Sequence, residues 1–181
     1  DSILSQLCKI LDVTLDYFFK ENSVSLTQVE FRKLQKLSVK EQEKVKTQTL
    51  DFLERYFELE NLLGIDNNLP FLPKSFKIEN RNDIELAAEK MRIEILKIGT
   101  DPIYNIFEML EERNSKVFET SVDKSFSGMS TVIDEQIGVI VFNNTFEIPL
   151  VRKRFTMLHE LGHLYLDLSS SHLYKLTSRN T

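Results

Sequence analysis

Apolar residues recur at three- and four-residue intervals through much of residues 3–19, 39–63 and 82–113. Between 116 and 143 they alternate or run together, and from 155 they return to helical spacing. The first spacing places side chains on one face of a helix; alternation or a short apolar run marks a strand. Residues 1–20 predict two short helices, with Ile3, Leu4, Leu7, Ile10 and Leu11 on one face. Asp12-Val13-Thr14 turns the chain between them, and Thr14 is placed to cap the second. So short a piece cannot bury a core of its own.

Residues 21–37 read as a polar linker with a short helix near 29–37. Ser38-Val39-Lys40-Glu41 then matches a capping box, in which serine and glutamate satisfy each other's main-chain donors. The helix it opens should run to about Leu63 on a stripe of Val45, Phe52, Leu53, Tyr56 and Phe57, with Gly64 as its stop. The turn-rich Asn67–Pro73 predicts a domain boundary, leaving 21–70 as a helical linker and 71–181 as the main domain. A helix is expected over 82–98, ended by Gly99, and another after Asp101-Pro102, to about Arg113. Strands follow at 116–120, 128–133 and 137–143; the last is almost wholly apolar and so belongs inside the sheet. The pattern predicts an α+β fold, mostly helical, with a small three-stranded antiparallel sheet packed on the helix that follows Pro149.

That last helix carries the chemistry. It contains His159-Glu160-Leu161-Gly162-His163. At roughly 100° per residue, His159 and His163 fall about one turn apart on one face, where two imidazoles can ligate one tetrahedral zinc ion. Glu160 lies near them in angle and can act as general base toward a water on that metal. Phe155, Leu158, Gly162 and Tyr165 form a second stripe by which the helix is expected to pack. Two of the chain's three histidines fall in the pattern; the third is His172. Arg152, Lys153 and Arg154 just upstream read as a surface or ion-pair cluster, with oxyanion stabilisation as the functional alternative. Asn143 and Asn144 end the strand nearest the helix; Asn143 is the candidate for contact with an extended substrate, and turn chemistry is the alternative.

Composition narrows the setting. A net charge of −5 and a pI near 5.3 argue against a dominant nucleic-acid surface on this stretch. One cysteine, Cys8, rules out an internal disulfide and a cysteine-rich zinc site, and its apolar setting reads as a buried structural thiol. No signal peptide and no run of ~20 apolar residues is present, so the expected location is the cytoplasm, away from membranes.

Residues 84–168 resemble the ImmA/IrrE family of metallopeptidases. The resemblance is carried by Gly99-Thr100-Asp101-Pro102-Ile103, Gly128-Met129-Ser130, Ile140-Val141-Phe142-Asn143 and, most specifically, Arg152 to His163. Residues 3–19 are similar to the last two helices of an Xre-like helix-turn-helix domain, which often precedes this domain in the family. An unrelated helical hairpin is the other reading. Together the resemblances imply a zincin-like active-site helix, a Zn²⁺ cofactor held by His159 and His163, and Glu160 as catalytic base. They imply a protein substrate such as a repressor, and DNA contact through an N-terminal domain of which 1–20 is the remnant. The runner-up is a DNA-binding regulator whose peptidase-like domain senses a signal or binds a partner; a homodimer through 38–63 is a weaker reading. The family's third ligand has no evident counterpart. Asp167, one further turn along, and His172, after three serines, are the candidates within the chain; a residue beyond Thr181 is the expected source.

Overall fold

The structure is a computed structural model and describes residues 3–19, 37–65, 76–133 and 137–167. Helix α1 (Ile3–Leu11) is followed by a 3₁₀ turn (Leu15–Phe19), as the N-terminal pattern predicts. Asp12 takes a left-handed φ of 53°, and Val13 N–H returns to the Cys8 carbonyl at 3.0 Å, which closes the first helix. Ile3 and Ile10 on its apolar stripe are 80% and 78% exposed, so the described residues leave that face open. Cys8 is only half-buried. The short helix expected near 29–37 and the boundary at 67–73 lie almost wholly outside the described residues.

Helix α2 (Val39–Leu63) begins at the predicted capping box. Ser38 Oγ accepts from Glu41 N–H, and Glu41 Oε2 accepts from Ser38 N–H and Oγ. The Ser38 hydroxyl first, and then the Asp123 N–H that donates to Glu41 Oε1 at 3.2 Å, hold the Glu41 carboxyl below its ordinary range. Gly64 ends the helix at φ 64°, a left-handed position that glycine takes without a Cβ penalty.

Strands β2 (Ser115–Thr120), β3 (Gly128–Ile133) and β4 (Ile137–Asn143) form the sheet, and two of their three ranges match the expected ones. The order is β2-β4-β3, with β2 parallel and β3 antiparallel to β4. The sheet is therefore mixed, which corrects the antiparallel expectation. Each strand does reverse the one before it, but β2 and β3 are not neighbours: β4 inserts between them. Being almost wholly apolar, β4 gains most from the central place, where both edges are hydrogen-bonded and both faces covered. The loop that skips over it is held by Asn143, whose Nδ2 donates to the carbonyls of Val122, Asp123 and Phe126 at 2.9–3.1 Å.

Both faces of the sheet are covered. Val139 and Val141 of β4, with Met129 and Ile133 of β3, pack against Val45 and Leu53 of α2. Ile140 and Phe142 face the other way, toward Ile106 and Leu110 of α4 (Ile106–Glu111) and Met157, Leu161 and Leu164 of α5 (Leu150–Tyr165). Helix α2, within the stretch 21–70 expected as a helical linker, packs as a layer against the sheet. It is fastened at its C-terminal end by a buried ion pair, Glu60 Oε1 to Lys116 Nζ of β2 at 2.5 Å, with Lys116 4.4 Å from the centre of the Tyr56 ring.

The remaining elements brace the α5 layer. Strand β1 (Phe76–Lys77) leads to α3 (Arg81–Lys90), which widens into a π-helical turn over Met91–Ile95. The helix predicted to Ile98 therefore loosens early. Lys97, at φ 54°, takes the left-handed position, and Arg113 Nε and Nη2 donate to the carbonyls of Ile95 and Leu96. Helix α4 starts four residues after Pro102, because Asn105 is its cap: Asn105 Oδ1 accepts from Glu108 N–H at 3.3 Å. Strand β5 (Leu166–Asp167) pairs with β1 and closes the end of α5. Among the described residues, no helix is long and apolar enough to cross a membrane.

The layers approach closely at Gly128. A Cβ built there lies 2.6 Å from Thr156 Cγ2 of α5 and 2.8 Å from the Val141 carbonyl. Gly128→Ala should therefore push β3 and α5 apart and cost about 1–3 kcal/mol, measurable as a lower urea midpoint with unchanged slope.

Candidate active site

Helix α5 has two apolar stripes in its sequence, and only one can face the sheet. The expected stripe began with Phe155, but Phe155 is 68% exposed. Of that stripe the helix fully buries only Tyr165; the rest of its buried face is Thr156, Met157, Glu160, Leu161 and Leu164. Gly128 gives the reason: with no side chain there, β3 seats directly over Thr156 and Glu160. Leu158 is half-buried and packs on the edge of the same core.

This rotation sends His159 and His163 to the open side and Glu160 to the inside. The His159 and His163 Nε2 atoms face each other at 3.1 Å, with ring planes at 89°. That is a hydrogen-bonding distance between ring nitrogens. It is also within a few tenths of an ångström of the ~3.4 Å that separates two nitrogens each bound ~2.0–2.1 Å from a tetrahedral zinc. Phe155, one turn earlier, stacks on the His159 ring with centroids 6.0 Å apart and planes at 22°, and so helps fix that imidazole. Glu160 is 2% exposed, and its Oε2 accepts a hydrogen bond from Ser130 Oγ at 3.0 Å. The helix backbone and the aromatic stack thus bring two metal-binding donors together on the open side, and the hydroxyl holds the carboxylate of the adjacent residue on the inner side.

The two nitrogens fit a zinc ion as a donor pair. Among the described residues, no group of three or more His, Cys, Asp or Glu side chains is assembled to hold a metal. Asp167 does not continue the histidine face as expected. The helix ends at Tyr165, Leu166 is extended at φ −91° and ψ 124°, and Asp167 leaves as part of β5. His172 lies outside the described residues.

Asn143, the candidate for substrate contact, is turned into the fold. It is 1% exposed, its amide N–H groups are spent on the 122–126 loop, and its Oδ1 accepts from Thr145 N–H and Oγ1. The turn reading of this asparagine is the one the structure carries. Of the basic cluster, Arg154 donates to the carbonyls of Ile103 and Tyr104, and Lys153 to the Asn144 carbonyl and side chain. Both tie loops to the start of α5. Tyr165 is buried in the core, and burial pushes its phenol up to about 12, partly offset by Arg113. It keeps its proton at neutral pH and is not presented to the histidines' open side.

Sequence reasoning gave Ser130 and Gly128 no role of their own. The signal was present: two small residues one strand period apart, in a strand otherwise rich in larger side chains. What they were small for depended on which helix face lay above them.

The edge strand adds one further element. Asn143 N–H donates to the Ser127 carbonyl, and Gly128 stands opposite Phe142 in the register. By the alternation of an antiparallel ladder, the main-chain groups of Gly128, Ser130 and Val132 then point away from β4. Among the described residues no strand pairs with that edge. Comparison of the chain with known protein families, characterised proteins and solved structures finds no match.

Proposed function

We propose that this chain is a zinc-dependent endopeptidase domain belonging to a transcriptional regulator. One observation carries the reading: two imidazole nitrogens face each other at zinc-ligand separation, with a buried carboxylate on the adjacent residue. His159 and His163 would hold the ion, completed by a third donor from outside the described residues. Zinc bound there would supply Lewis acidity, making a water easier to deprotonate and a peptide carbonyl easier to attack. Glu160 would serve as the general base for such a water and pass the proton to the leaving amine. The Glu160 Oε2 accepts a hydrogen bond from the Ser130 hydroxyl.

The open edge of β3 favours an extended polypeptide as substrate. Main-chain groups at Gly128, Ser130 and Val132 can pair with a peptide strand running beside the α5 residues that bear the chemistry. By the resemblance, the protein substrate is a repressor, and DNA would be engaged through a helix-turn-helix domain to which Ile3–Phe19 belongs.

Titration of the metal-free protein with zinc tests the donor pair. Wild type should take up about one equivalent, and His159→Ala or His163→Ala should weaken binding by about 100-fold or more in calorimetry. Equal uptake by a variant lacking both histidines would remove the basis of the proposal.

A further inference from the structure

We infer that Ser130 is a positioning residue for Glu160, fixing the carboxylate's orientation beside the histidine pair. The catalytic consequence presupposes the peptidase reading; the contact itself does not.

The terminal torsion of a glutamate is broad and has no strong intrinsic preference. A base that must face one water needs that torsion set by something else. Glu160 is 2% exposed, and the Ser130 hydroxyl reaches its Oε2 at 3.0 Å. Gly128, on the same face of β3, brings the strand close enough for this: a Cβ there would lie 3.4 Å from Glu160 Cγ. Glycine lets the strand touch the stem of the glutamate, and serine, one period on, holds its head. Val132, the next residue on that face, packs against the core formed with Met157 and Leu161. Ser130 is therefore the side chain of β3 that supplies a donor to the carboxylate. Its main chain also faces the open edge, so the strand that would pair with a peptide is the strand that orients the base.

A double-mutant cycle on the whole chain, metal-free, reads the contact without any activity. Ser130→Ala should lower the urea midpoint in the wild-type background and leave it nearly unchanged when Glu160 is already Leu, or Met if Glu160→Leu does not fold. An equal shift in both backgrounds would make Ser130 an ordinary packing residue and overturn the inference. With zinc present and denatured casein as probe, Ser130→Ala should lower kcat about tenfold with KM within twofold, and Ser130→Thr should restore most of it. A wild-type kcat in Ser130→Ala would also overturn it. If wild type cleaves no casein while the cycle shows coupling, the positioning contact stands and the peptidase reading is what fails.

Discussion

Replacing Glu160 with glutamine is expected to lower cleavage of denatured casein by the zinc-loaded protein about 10²–10⁴-fold, the usual range for loss of a positioned general base. The substitution keeps the side chain's size and its capacity to accept the Ser130 hydroxyl, so the fold should persist. Circular dichroism and the urea midpoint should stay close to wild type, and zinc uptake through His159 and His163 should be retained. A loss of activity accompanied by unfolding would say nothing about chemistry, which is why the three measurements belong together. Undiminished hydrolysis by Glu160→Gln would remove this residue from the reaction. Intact regulation in cells carrying the inactive variant would instead favour a regulator that works without cleaving.

The largest stability effect is expected far from that site, at Lys116→Met. Lys116 and Glu60 lie at 2.5 Å with side chains only 3% and 12% exposed. Removing the cation leaves a carboxylate in the interface between α2 and β2 with little water to receive it. Breaking one half of such a pair costs about 3–5 kcal/mol. The pair itself is not what makes the interface stable, because both charges lose hydration when the layers close. Replacing both together, Lys116→Met with Glu60→Leu, should therefore return the urea midpoint to near wild type or above it. If the double substitution is as damaging as the sum of the singles, the pair contributes net stability and the desolvation argument fails.

Much of the local structure was legible in the chain because its causes are local. The Ser38 capping box, the Gly64 stop and the β3 and β4 ranges depend on residues within a few positions of each other, and the structure follows them. The spacing of His159 and His163 is likewise helical geometry, and no tertiary contact is needed to bring those rings together. The pattern departs from the structure where side chains take main-chain groups that periodicity leaves unassigned. Arg113 takes the carbonyls at the end of the π-helical turn after α3, and Asn105 caps α4, so that this helix begins at Ile106 rather than directly after Asp101-Pro102. Asn143 looked like a strand-end residue open to a peptide because nothing in its neighbourhood shows that the 121–127 loop folds over it.

By itself, then, the sequence determined an α+β chain, mostly helical, with a continuous apolar strand and a helix carrying two imidazoles and a carboxylate at metal-site spacing. Periodicity and capping act over a single turn or a single strand, so the chain states them directly. Only the tertiary structure decided that β4 enters between β2 and β3, that α2 covers the sheet, and which stripe of α5 is buried. Those choices are made by burial and close packing, which compare whole faces rather than neighbours in sequence. Gly128 shows the difference most plainly. In the chain it is one small residue at the start of a strand; in the fold it lets β3 rest on α5, turns Glu160 inward toward Ser130, and leaves His159 and His163 facing out.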